Sequence, residues 1–93
     1  METFDSPFGS IELTDERLSH ILTFHPEVNA VRKYFAKTLQ KPEIIRRSKS
    51  DTRVLILYHE IPGKKYLAIV TRINSRKFIL TAYITDKIQR SNL

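Results

Sequence analysis

The sequence predicts an α+β domain with N-terminal helices packed on a four-stranded antiparallel sheet. Three observations carry this. Apolar residues recur at three- and four-residue spacing as far as Leu39, the period of a helix. Beyond Pro42 the pattern turns to runs rich in β-branched and aromatic residues, as strands require. Short turn signals, Pro62-Gly63 and Asn74-Ser75-Arg76, separate those runs. Turns so short join antiparallel neighbours. The whole chain, 1–93, is read as one domain of this class, with 1–9 as a loose lead-in broken by Pro7 and Gly9.

The elements follow in order. Ser10 to Leu13 reads as a short first strand. Thr14 suits a helix N-cap, and Asp15 and Glu16 suit the positive end of the dipole. Leu18, Ile21 and Leu22 extend that helix over roughly 14–24. Pro26 disfavours helical dihedrals at His25 and suits the first position of a second helix. That helix runs to about Leu39, with Val28, Val31, Phe35 and Leu39 as its apolar stripe. Strands are then expected at Glu43–Arg47, Arg53–Glu60, Lys65–Ile73 and Lys77–Ile84.

Strand alternation assigns faces. In the last strand Phe78, Leu80, Ala82 and Ile84 share one face and are expected beneath the helices. Lys77, Ile79, Thr81 and Tyr83 share the other. For Tyr58 and His59, alternation leaves open which one faces a cleft.

Bulk properties exclude several functions. There are no cysteines, so disulfides, thiolate metal sites and cysteine nucleophiles are out. No apolar run reaches the roughly 18 residues of a membrane span. Met1 to Ser10 lacks the basic and apolar regions of a signal peptide. A soluble cytoplasmic domain that avoids membranes is expected. Net charge is +6 and unevenly spread: residues 1–30 carry −5 and residues 31–93 carry +11. Such a basic surface meets polyanions, RNA above all, or remains a solvated face.

Two of the three histidines, His20 and His25, lie at the end of the first helix. Histidine both takes and gives protons near neutrality. Five residues of helix separate two side chains by about 140°. That is not the i, i+4 spacing of a two-histidine metal clamp, so no metal and no cofactor are expected. Read singly, His20 fits a half-buried helix–sheet contact and His25 a helix C-terminus.

Leu13 to Ile21, with His25-Pro26-Glu27, resembles the opening of a family of small phage- and mobile-element-associated domains. These belong to the barnase–EndoU–colicin–RelE group of metal-independent RNases and toxins. Thr38 to Ile45, Val54 to Tyr58 and Lys65 to Leu67 are similar to its later pieces. Phe78 to Ile88 is similar to its closing strand. The resemblance spans about 11–88, and the His-Pro-Glu and Phe-Ile-x-Thr-Ala-Tyr pieces are its specific ones. It implies helices followed by a four-stranded antiparallel sheet with an RNA cleft on it. The implied reaction is attack of a ribose 2′-OH on the adjacent phosphate, without a metal. That needs a base, an acid and groups that stabilise the phosphate.

On that reading His25 or His20 is the general base or acid. Thr81 and Tyr83 hold the phosphate or donate the second proton. Arg53, Arg47 or Lys65 offsets the developing charge. Lys64, Lys65, Arg72, Arg76 and Lys77 form the footprint on RNA, with Arg47 as a further contact. Two other readings use the same residues. One is RNA binding without cleavage. The other is a basic face for an acidic antitoxin or immunity protein, which a toxin RNase also requires.

Overall fold

The sheet has six strands rather than four, and one pairing is parallel. The computed structural model describes residues 1–88. In chain order they form β1 (Glu2–Phe4), β2 (Ile11–Leu13), α1 (Asp15–Phe24), a 3-10 helix (Pro26–Tyr34), α2 (Phe35–Gln40), β3 (Ile44–Arg47), β4 (Val54–Ile61), β5 (Lys65–Ile73) and β6 (Lys77–Thr85). The order across the sheet is β1-β2-β6-β5-β4-β3. The antiparallel set β3 to β6 is present. The expected four-stranded antiparallel sheet is corrected at the other edge. β1 pairs with β2 antiparallel, and β2 lies parallel to β6, with Glu12 opposite Phe78. β1 falls within the lead-in expected at 1–9. Three-residue strands carry too few alternations to show a period. Their partners are decided by packing, not by local pattern.

Thr14 caps α1 as expected. Its Oγ1 accepts the Arg17 N–H at 3.2 Å. Helix α1 stops at Phe24, and His25 takes φ −135°, ψ 65° ahead of Pro26. The second helix is not continuous. It runs as a 3-10 helix with Pro26 at its first position, leaves helical dihedrals at Val31 (φ −117°, ψ 16°), and resumes as α2. The apolar spacing explains the change. Val28, Val31 and Tyr34 are three residues apart, and a 3-10 helix places every third residue on one face. Phe35 and Leu39 are four apart, which suits the α-helix.

The helices cover one sheet face. Ile11, Leu13, Ile21, Val28, Phe35, Leu39, Leu55, Leu57, Leu67, Ile69, Ile79 and Ala82 form the main core there. The assignment of β6 residues to faces changes at a bulge. Thr71 sits opposite Ile79, but Val70 sits opposite Thr81, so Leu80 is an extra residue. One unpaired residue reverses the alternation. Ile79, expected on the outer face, is fully buried under the helices with Ala82, and Ile84 packs there too. Phe78, expected beneath the helices, lies opposite Arg72 on the second face.

Candidate functional site

The second face is a grid set by strand register. One row holds Val54, Arg72 and Phe78. The next holds Arg46, Ile56, Val70 and Thr81. A third holds Ile44, Tyr58, Ala68 and Tyr83, and a fourth Glu60, Tyr66 and Thr85. Ile56, Tyr58 and Ala68 are buried at its centre, and Ile44, Tyr66, Val70, Tyr83 and Ile88 pack on them. Thr81 and Tyr83 share this face, one pleat repeat apart, about 7 Å.

Helix α1 packs on β6 and delivers His25 to the edge of this face. The His25 ring centroid lies 6.0 Å from that of Tyr83. His25 Nδ1 is 3.7 Å from a Glu27 carboxylate oxygen. The His-Pro-Glu and Phe-Ile-x-Thr-Ala-Tyr pieces therefore meet in space. Burial pushes the Tyr83 phenol up to about 12, and the neighbouring Tyr58, with which it hydrogen-bonds, adds to this. Tyr83 thus stays protonated across the whole neutral range.

His20 is not part of this arrangement. It is exposed on α1, with its ring 4.8 Å from that of Phe24. His59 turns to the helix side, opposite Leu67, and its Nδ1 lies 3.3 Å from Glu43 Oε1. Tyr58 takes the second face. That choice depends on register and was open to alternation alone.

The expected cations disperse. Arg53 makes a two-point contact with Asp51, at 3.1 and 3.2 Å. That hydrogen-bonded pairing lowers the Asp51 carboxyl and raises the Arg53 guanidinium. Arg53 is also five residues from Tyr58 along the chain, roughly 17 Å of strand. Arg47 is in register with Leu55 on the helix side and donates to the Thr52 carbonyl. Lys65 lies 3.7 Å from Asp86, and Arg76 lies 3.0 Å from Glu12. Lys64 sits at positive φ (59°) in the β4–β5 turn. Lys77 is opposite Ile73, in phase with the helix side. Of the predicted footprint only Arg72 lies within the grid. Lys64 and Lys65 mark one end of the sheet, and Arg76 and Lys77 the other. Sequence reasoning missed Arg46 and Phe78 as residues of this face and left Tyr58 open. The adjacent Arg46-Arg47 at the end of a short strand is a weak signal, since alternation puts one of the two on each face, and none exists for Phe78 without the bulge.

Among the described residues, no helix is long and apolar enough to cross a membrane. No cluster of three or more His, Asp or Glu side chains among them is placed to hold a metal ion. Comparison of the chain with protein-family models, curated proteins and solved structures gave no match.

Proposed function

We propose that this protein is a cytoplasmic, metal-independent endoribonuclease that cleaves single-stranded RNA on the second sheet face. The contact between His25 and Tyr83 carries this reading. It joins a proton acceptor with a carboxylate neighbour to a proton donor held in its protonated form. His25 takes the 2′-OH proton, with a Glu27 carboxylate oxygen 3.7 Å from its Nδ1. The 2′-oxygen bonds to phosphorus and the bond to the 5′-oxygen breaks. Tyr83 gives its proton to that leaving oxygen. The products are a cyclic phosphate and a free 5′-hydroxyl. Thr81 lies in the adjacent row, where its hydroxyl can bond a phosphate oxygen. Arg46 and Arg72 share the face and supply positive charge for the strand. The +11 charge of residues 31–93 supports an RNA partner, as does the resemblance at the two motifs that meet. The need for a 2′-OH makes DNA inert.

The test is incubation of purified protein with total RNA in EDTA. Proton transfer by a placed side chain contributes about 10²–10⁴-fold. His25→Ala and Tyr83→Phe should each lose activity on that scale, whereas His20→Ala should stay within about twofold. No cleavage by wild type, or wild-type cleavage by both variants, sinks the reading. One observation favours RNA binding without cleavage: Arg53, Arg47 and Lys65 are engaged away from Tyr83. In that case RNA is bound in a salt-sensitive way and recovered intact.

A further inference from the structure

A second feature lies at the other end of β6. A depression of about 200 Å³ is lined by Thr14, Glu16 and Arg17 of the α1 start, and by Arg76 and Phe78. Drug-sized ligands need roughly 300–1,000 Å³, so this space suits one planar ring system. We propose that it is a nucleobase subsite for the RNA strand, in which Phe78 stacks on a base and Arg17 and Arg76 hold the neighbouring phosphate. The inference rests on the proposed RNA reading and names a second contact point for it.

The residue types support this use. Phe78 is an aromatic on the sheet face that is only half-buried, and any base presents a π-face to such a ring. The Arg76 guanidinium lies 6.0 Å from the Phe78 centroid. Glu12 engages Arg76 through Nε at 3.0 Å, which holds the side chain while its terminal nitrogens keep their donors. Arg17 is the one base among residues 1–30. Its guanidinium has no ion-pair partner among the described residues. Glu16 adds a carboxylate acceptor for the amino edge of a base. An exposed Arg76–Glu12 pair contributes little to stability, so folding alone gives weak reason for the arrangement.

The position fits the same strand of RNA. Phe78 and Tyr83 lie on one face of β6, and their β5 partners, Arg72 and Ala68, are four residues apart. Four residues of strand span about 14 Å. That is at most about four nucleotides, taking roughly 3.4 Å as the shortest stacked spacing. A base seated on Phe78 would therefore place a nearby phosphate at Tyr83 and fix which bond is cut.

The test is fluorescence anisotropy with a labelled 12-mer of 2′-O-methyl RNA of mixed sequence, which binds but cannot be cleaved by 2′-OH attack. Phe78→Leu should weaken binding about fivefold or more, since a stacked base is lost. Phe78→Tyr should restore it. Arg17→Gln should lower the slope of log affinity against log salt by about 0.7. Arg17 lies on the helix surface, so that variant keeps the test valid even where Phe78→Leu unfolds. Wild-type affinity and salt slope in Arg17→Gln, or wild-type affinity in a folded Phe78→Leu, overturns the subsite. Binding that responds to Phe78 and Arg17 in a protein that cuts no RNA upholds the subsite and removes the nuclease reading. A wild type that binds no RNA removes both.

Discussion

His25 and Tyr83 illustrate what single residues settle. The sequence offers two histidines with equal chemistry, and geometry separates them. Pro26 ends α1 at His25 and turns that ring toward β6, while His20 remains one helical turn back against Phe24. Tyr83 carries a pH prediction. Its phenol is raised from 10.0 to about 12 in the folded state, by burial first and Tyr58 second. A raised pKa means that folding favours the protonated form. Its stabilising effect is complete below about pH 10 and is lost as pH climbs toward about 12. Urea denaturation at pH 8 and pH 11.5 checks this. Wild type should lose more stability between those values than Tyr83→Phe, with other titrating groups cancelling in the comparison. An equal loss in both proteins contradicts the burial of the hydroxyl.

At the scale of elements, the bulge at Leu80 positions the site. Before it, Ile79 faces the helices; after it, Ala82 and Ile84 do, and Thr81 and Tyr83 face outward. Plain alternation predicts the correct face for Thr81 and Tyr83 but the wrong face for Phe78 and Ile79. No residue in Phe78 to Thr81 announces a bulge, since no glycine marks it. Deleting Leu80 should remove the bulge and leave the other β6 residues on their present faces, because Ile79 opposite Thr71 would then be followed directly by Thr81 opposite Val70. Cooperative thermal unfolding should persist in that deletion, whereas deleting the paired Thr81 should abolish it. Leu80→Ala should cost less than about 2 kcal/mol, because the half-buried side chain leaves little cavity. Loss of cooperative unfolding on deletion of Leu80 would contradict the register. The 3-10 helix teaches the opposite lesson. The three-residue spacing of Val28, Val31 and Tyr34 is visible in the sequence, but an α-helix tolerates it as well.

The whole molecule depends on its N-terminal edge. Glu2–Phe4 and Ile11–Leu13 extend the sheet beside β6. Phe4 and Phe8 pack on the main core, with Phe4 6.3 Å from Phe35 between ring centroids. Arg32 ties Glu2 at 2.8 Å. Removing residues 1–9 should therefore do more than trim a tail. Phe4 and Phe8 are half-buried, so each costs less than the roughly 3–5 kcal/mol of a fully buried phenylalanine, but together they are a large share of a small domain's roughly 5–15 kcal/mol. Calorimetry should show the melting temperature falling by more than about 10 °C. A change of only a degree or two would mean that β1 adds nothing to the core.

The sequence by itself determined the α+β class, the capped first helix, the break at His25, the four strands β3 to β6 and the charge asymmetry. Each is written in local signals: a cap, a proline, an apolar period, a count of charges. Tertiary structure alone decided the six-stranded mixed sheet, the reversal at Leu80, the placement of His25 rather than His20 beside Tyr83 and the dispersal of Arg53, Arg47 and Lys65. These depend on partners far along the chain. Pairing β2 with β6 joins residues more than sixty positions apart, and no local pattern specifies a neighbour at that distance.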